Sequence, residues 1–374
     1  MDEAATENRK YPPGCHPDLP PPGIAAGPLL WIKDNLFGSA TNVVLTFLAA
    51  YFLWLSIPPL LEWAFFDAAF TGESRKACKA QAPGACWAFI QNRFELFVYG
   101  FYPRPERWRV DLSFILLMVA LTPVLWEKVP QRAKLLLFSC AYPFVAGWLL
   151  TGGLGLKPVG TDQFGGILLT LVIGITGISF SLPIGIVLAL GRQSRMPVPR
   201  ILCVAFIEFI RGVPLITLLF VASAMLSYFL PPGTNFNLLL RVLIMVTLFA
   251  SGYMAEVIRG GLQAIPAGQY EAAQSMGLGY WKAMRLIVLP QALKISIPGI
   301  VNTFIALYKD TTLVIIIGLL DPLGIGRSSL ADSKWQGLST EVYIFVAVFF
   351  FISCFGMSRY ALYLERKLDT GHKR

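Results

Sequence analysis

The sequence predicts an all-α polytopic membrane protein with about eight transmembrane helices. Three observations carry that prediction. Hydrophobic residues fill 55% of the 374 positions and charged residues only 14%, against about 25% charge in an ordinary soluble domain. Apolar runs long enough to cross a hydrocarbon core of about 30 Å recur along the chain. Lysine and arginine gather in alternate connections, as they do in short cytoplasmic loops.

Residues 1–30 are acidic and then proline-rich, with Pro20, Pro21 and Pro22 in a row. They read as a flexible cytoplasmic tail. No basic region leads into a short apolar core, so no cleavable signal peptide is expected. Leu30 to Phe37 reads either as a short interfacial helix or as the frayed start of the first span. Spans are then expected near 41–61, 112–129, 134–152, 166–190, 200–229, 237–258, 294–318 and 342–364. The second is short and carries Glu127 near its end. The fifth and seventh exceed the minimum length, which calls for tilt, a kink or extension beyond the bilayer.

Charge placement orients the set. Lys128, Arg132 and Lys134 lie between spans two and three, and Arg192, Arg195 and Arg200 between four and five. Arg259, Lys282, Arg285 and Lys294 lie between six and seven, while Arg366, Lys367, Lys373 and Arg374 follow span eight. Both termini are therefore expected on the cytoplasmic side. The external segment 62–111 holds seven basic and six acidic residues, and long translocated segments escape the rule. The net charge of +9 is thus mainly topological. No basic recognition module is visible, so a lipid bilayer rather than nucleic acid is the expected surrounding.

Six cysteines do not make a disulfide scaffold here. Cys140, Cys203 and Cys354 fall in apolar spans, where packing is their ordinary role, and Cys15 lies in the tail. Cys78 and Cys86 stand in the expected external loop, where oxidising surroundings would permit a bond; paired and free states both remain open. The two histidines, His16 and His372, sit in the tails, which excludes a histidine-based metal site or hydrolytic triad within the spans. No metal is expected.

The chain divides into a 1–40 tail, a three-span extension over 41–160 and a five-span region over 161–374. The external segment of the extension is rich in aromatics, among them Trp63, Phe89, Phe97 and Tyr102. Interfacial anchoring and a docking surface for another protein are both open readings. In span four, Gly174, Gly177, Ser179 and Ser181 offer small surfaces for close helix approach. Pro183 is expected to bend that helix without ending it.

The segment 262–290 interrupts the apolar pattern. Ile265 to Gly268 reads as a turn around Pro266, followed by a short helix from Gln269 to Met276. Gly277 and Gly279 permit a reversal. Tyr280 to Leu289 reads as a second helix, with Trp281, Met284, Ile287 and Val288 on one face. Small Ala272 and Ala273 would let a partner approach the backbone, with Glu271 as a polar anchor. An amphipathic hairpin lying on lipid explains the basic side chains but not the order of Glu-Ala-Ala, glycine and Leu-Pro.

That order resembles the coupling loop of ABC importer permeases: Glu271-Ala272-Ala273, three residues, Gly277, nine residues, Ile287, one residue, Leu289-Pro290. Phe209-Ile210-Arg211-Gly212-Val213-Pro214-Leu215, Ala255-Glu256-Val257-Ile258-Arg259-Gly260 and Lys309-Asp310-Thr311 are similar to the polar amino-acid branch, with Val213 and Thr311 as mild departures. The resemblance covers about 160–370, and the added spans look like the larger general L-amino-acid permease subunits. It implies a five-helix MetI-like type I importer core. It also implies a homologous but non-identical permease, a dimer of cytoplasmic ATPases, an external (periplasmic) amino-acid-binding protein and L-amino acids as cargo. Glu271, Ala272, Ala273, Gly277, Leu289 and Pro290 would couple to the ATPase. The chain lacks a Gly-x-x-x-x-Gly-Lys-[Ser/Thr] phosphate loop. It is therefore expected to be no enzyme and to bind no cofactor itself, with ATP and Mg held by the partner ATPase.

Ionisable residues inside spans are costly and therefore functional candidates. Glu208 and Arg211 are three apart on a helix, as are Glu256 and Arg259, so each pair can share a face. A structural or gating salt bridge and direct substrate contact are both open for them. With span seven beginning near Lys294, Lys309 would lie about 22 Å along it. Asn302, Lys309, Asp310, Thr311 and Thr312 then form either a polar transfer path suited to a zwitterion or a buried ion-pair network. A self-contained channel or ion-gradient-driven secondary transporter would account for the charged spans but leaves the coupling motif unexplained. A non-transporting membrane scaffold is the third class.

Overall fold

The computed structural model describes residues 27–225, 228 and 236–368. Cys15, His16, His372, Lys373, Arg374 and most of the proposed tail lie outside the described residues, as do 226–227 and 229 of the fifth expected span. Among the described residues there is no named strand, only isolated bridges of Ala69 with Cys86 and Gly153 with Leu156. Seven helices are long and apolar enough to cross a membrane, and a sharply bent pair makes up to eight. The residues fall into two compact units, one up to residue 68 plus 82–85, the other 69–81 plus 86 onward.

In the first unit, α1 (Gly27–Leu36) is separate from α2 (Ala40–Leu61), because Ser39 turns extended and caps the Asn42 amide at 3.2 Å. Leu30 to Phe37 is therefore not the frayed start of the span. α2 has no buried residue and widens into a π-type turn over Glu62–Phe66.

In the second unit, α3 (Arg75–Gln81) and α4 (Ala88–Tyr99) precede α5 (Trp108–Leu125) and α6 (Arg132–Thr151). α5 ends before Glu127, which stands in the turn. Next comes α7 (Gly166–Arg192), which passes through Pro183 unbroken, as expected. Its glycines are where neighbours press closest: a side chain at Gly174 would meet the Tyr308 ring at 3.2 Å, and one at Gly177 would meet Leu307 at 2.8 Å.

α8 (Pro197–Gly212) and α9 (Leu215–Phe220) meet at 102°. Proline disfavours helix at the residue before it, and Val213 is extended at φ −109°, ψ 132°. The break falls at Val213-Pro214. α10 (Leu238–Gln263) packs along α7 and against α13 (Leu289–Asp310). Between them stand α11 (Ala267–Ser275) and α12 (Tyr280–Ala283), which continues through a π-type turn directly into α13. The expected separate helix from Tyr280 to Leu289 is thus the inner end of a 38-residue span, Tyr280–Ile317. Pro290 follows the π-type turn inside this continuous span, and its missing N–H leaves one carbonyl of the preceding turn without its usual donor. α14 (Pro322–Ser329) and α15 (Ser339–Leu368) complete the chain.

Two buried clusters hold α7, α10 and α13 together. Toward the end where α7 begins, Leu168, Leu169 and Ile173 pack with Val242, Val246 and Leu307. Toward the other, Ala189, Met254 and Ile258 pack with Ile207, Val288 and Ala292.

The aromatic segment follows neither reading offered by its composition throughout. Phe89, Phe97 and Tyr102 are buried core, seated on Trp335, Phe345 and Phe164 respectively. Phe94 and Phe101 remain exposed.

Candidate functional site

Three helix ends bring five charged side chains to one place. Arg192 closes α7, Glu208 and Arg211 lie on α8, and Glu256 and Arg259 lie about two turns and one turn from the end of α10. Glu256 is the hub. Its Oε1 stands 3.0 Å from Arg192 Nη1, and its Oε2 stands 2.9 Å from Arg259 Nη2 and 3.4 Å from Arg211 Nη1. Arg192 Nη1 also donates to Glu208 Oε1 at 2.8 Å.

The Glu256–Arg259 pair was legible from its spacing. The Glu208–Arg211 pair was not a pair at all: Glu208 turns to Arg192, and Arg211 turns to Glu256. Sequence reasoning treated Arg192 only as a topology marker. Its contact partners lie 16 and 64 positions away, and no local period reveals them. Three guanidiniums against two carboxylates leave a net positive cluster. The Glu256 side chain is only 15% exposed, so these charges attract more strongly than surface pairs do.

The hairpin of α11 and α12 carries the Glu271 motif. Pro266 caps α11 from extended backbone, and Gly277 ends the turn at φ +71°. The Gly277 N–H donates to Gln274 O at 2.8 Å and the Leu278 N–H to Ala273 O at 3.1 Å. That pattern satisfies the last carbonyls of the helix and needs a left-handed residue at Gly277. Glu271 and Ala272 are exposed, as expected of a docking edge. Ala273 is not: it is fully buried, so its small size serves packing beneath the hairpin. Met284 and Val288 are buried together, whereas Trp281 leaves their face and is 70% exposed with Met276 and Leu286. Leu289 is half-buried and Pro290 exposed. Gln291 Nε2 donates to Gln269 Oε1 at 3.1 Å, tying the hairpin to α13; sequence reading named Gln269 but not its partner Gln291.

Around Lys309 the expected depth changes, because α13 starts at Leu289 rather than near Lys294. Lys309 lies about 30 Å along it, one residue before the helix tightens over Thr311–Ile317. Asn302 and Lys309, two turns apart, share an exposed face. Among the described residues neither Lys309 nor half-buried Asp310 has an ion-pair partner within this chain. Thr311 is buried and spends its hydroxyl on Tyr308 O at 2.8 Å, and Thr312 donates to Lys309 O at 3.0 Å. Both threonines bond the carbonyl three residues before them at the helix end.

At the opposite end of the spans, Cys78 and Cys86 form a disulfide, with Cα atoms 5.7 Å apart. The segment they brace grips the α14–α15 connection. Arg75 donates to Gln336 O at 2.8 Å, Arg93 pairs with Asp332 at 2.6 Å, and the Cys86 N–H reaches buried Glu341 at 3.2 Å. Asp321 caps α14 through the Gly324 N–H at 2.9 Å. Burial pushes its carboxyl up to about 6 despite that bond. Among the described residues no cluster of ligating side chains could hold a metal.

Residues 181–370 match the family model described as "Binding-protein-dependent transport system inner membrane component". The chain is 49% identical to the inner membrane amino-acid ABC transporter permease protein YhdY of Escherichia coli (strain K12), covering 95% of this chain and 97% of that protein. It is 46% identical to the glutamate/glutamine/aspartate/asparagine transport system permease protein BztC of Rhodobacter capsulatus, covering 95% and 96%. A crystal structure of an amino acid ABC transporter with histidines matches at 29% identity and a TM-score of 0.47, over 53% of this chain and 90% of that one.

Proposed function

Because the chain belongs to the family of binding-protein-dependent transport system inner membrane components, we propose that it is the transmembrane permease subunit of an ATP-driven importer for L-amino acids. Full-length similarity to two permeases named for amino-acid transport supports the cargo class. The observation that carries the reading is the Glu271 motif set on an exposed hairpin that runs straight into a membrane-spanning helix. A push on the hairpin has a continuous helical path to the transport region.

In this reading a separate cytoplasmic ATPase dimer binds ATP and Mg, and it docks on Glu271, Ala272 and the exposed Met276, Trp281 and Leu286. A homologous, non-identical permease completes the path, and a periplasmic binding protein delivers the amino acid. The 161–374 region is the transport core and 41–160 the extension, a division supported by the family match at 181–370. Both termini face the cytoplasm. Glu256 with its three arginines serves as a charged latch across the inner ends of α7, α8 and α10. Exposed Asn302 and Lys309, with Asp310 beside them, face the path or the second permease.

The direct experiment purifies the native complex, identifies its chains and measures uptake in proteoliposomes. ATP-dependent uptake of polar or charged L-amino acids with a copurifying ATPase is expected. A lone chain that transports on a sodium or proton gradient, without ATP, would overturn the assignment.

A further inference from the structure

Between the α5–α6 turn and the last two turns of α15 lies an open pocket of about 510 Å³. Its walls combine Trp126, Tyr360 and Tyr363 with the charged Glu127, Lys128, Arg132 and Lys367. α5 ends there, at Leu125, and the last described turns of α15 stand against it. The pocket therefore sits at the boundary where the spans leave the hydrocarbon, on the side the basic loops assign to the cytoplasm.

Its charge is unbalanced. Glu127 is taken by Lys367, whose ammonium lies 2.5 Å away. The hydrogen bond from Lys367, helped by the charge of Arg132, holds the Glu127 carboxyl below the usual carboxylate range. Arg132 spends Nε on Pro123 O at 3.0 Å, and neither it nor Lys128 has an ion-pair partner among the described residues. Three cations against one carboxylate leave two positive charges unmatched. Tyr360 donates its hydroxyl to Val124 O at 2.8 Å, so its polar tip is occupied and its ring is left to face apolar matter.

A ligand that answers this pocket needs an anionic head and an apolar body. A free phosphate satisfies only the cations, and an uncharged acyl chain only the rings. Basic pockets between spans on the cytoplasmic side are suited to anionic head groups, and aromatic rings anchor at the same depth. We propose that this pocket binds an anionic phospholipid, its phosphate between Lys128 and Arg132 and its glycerol and upper chains along Trp126 and Tyr363. Bound there, the lipid joins the α5–α6 turn of the extension to the last helix of the core. Apart from it, the side-chain links across the pocket are Lys367 to Glu127 and Tyr360 to the end of α5.

The test uses the purified complex in vesicles of phosphatidylglycerol and phosphatidylethanolamine, with trace phosphatidylglycerol bearing a photoreactive acyl chain. Cross-links are mapped by peptide mass spectrometry. Labelling should fall on 124–132 and 360–368, and a phosphatidylcholine probe should label that region far less. Lys128→Gln, which disturbs no contact described above, should weaken the labelling about fivefold, the effect of one basic charge near an anionic surface. Arg132→Gln should do at least as much. Glu127→Gln should strengthen it, a change opposite in sign to any general loosening of the fold. Equal labelling of wild type and Lys128→Gln, or by both probes, would overturn the proposal. So would displacement by inorganic phosphate, which would make this a site for a soluble anion.

Discussion

Both ends of the span bundle rest on buried apolar packing, but what is added to that packing differs. At one, α7, α8 and α10 meet through five charges centred on Glu256. At the other, α4 meets the α14–α15 connection and α15 through ring packing of Phe89 on Trp335 and Phe97 on Phe345, with the Arg93–Asp332 ion pair and the Cys78–Cys86 disulfide just before α4. Ion pairs can trade partners: Glu256 faces three guanidiniums and can release one while keeping two. Interdigitated rings and a covalent bond cannot, because any shift opens a void or strains a bond. Under the importer reading proposed above, the Glu256 end is the one whose contacts can rearrange and the ring-packed end is the one that holds.

The sharpest way to break that comparison is Glu256→Gln. It removes the counter-charge of three arginines at once and leaves Glu208, 54% exposed on its side chain, as the remaining carboxylate. Removing one partner of a largely buried ion pair costs about 3 kcal/mol. Thermal unfolding of the purified complex should shift downward, and ATP-driven uptake should fall more than about tenfold. Glu208→Gln, which touches Arg192 alone, should cost under about 1 kcal/mol. If the two variants behave alike, Glu256 is not the hub.

The fixed end carries a pH dependence of its own through Asp321. Its carboxyl is raised from 3.8 to about 6 by burial, so the folded chain holds the proton more tightly than the unfolded one. The sign follows directly: stability is greatest below about pH 4 and is lost as pH rises toward 6, then stays level. The span of that loss is about 3 kcal/mol. Asp321→Asn keeps a side-chain acceptor for the Gly324 N–H and removes the titration. Its unfolding temperature should be flatter than wild type between pH 4 and 6. An unchanged slope would place the titrating group elsewhere.

The covalent part of that end is probed by Cys78→Ser with Cys86→Ser. Opening a loop this short forgoes about 2.5 kcal/mol of unfolded-state restriction. Hydrogen exchange should rise across 75–99 and 329–341 while staying unchanged in α11 and α12. Equal loosening at both ends would dissolve the contrast between them.

The spans were legible because hydropathy needs only local composition, and the excess length of the fifth one called for a kink, which the structure places at Val213-Pro214. So were Pro266 and Gly277, since turn chemistry is also local. What stayed hidden was tertiary. Glu208 had a partner at the right helical spacing in Arg211, yet its charge went to Arg192 on another helix. Ala273 belongs to a motif associated with an outside partner, but the way the hairpin folds back buries it. Phe89 and Phe97 carry the composition of an interfacial belt, and only the positions of Trp335 and Phe345 make them core. Lys309 moved in depth because the span begins a full turn and more before the first expected apolar residue.

The smallest expected effect sits at Gly277, at the inner end but governed by backbone conformation. A Cβ there would meet nothing within 4 Å, so no side-chain clash enters. The cost lies in the +71° φ alone, about 1 kcal/mol for an ordinary L-residue. Gly277→Ala should therefore leave assembly and overall stability nearly intact while fraying the last turn of α11, where Glu271 and Ala272 are presented. Coupling, read as uptake per ATP hydrolysed, should drop by about fivefold, and Gly277→Asn should recover much of it because asparagine tolerates the left-handed region. If alanine and asparagine couple equally well, hairpin geometry does not set coupling. The inner end would then work through its charges alone.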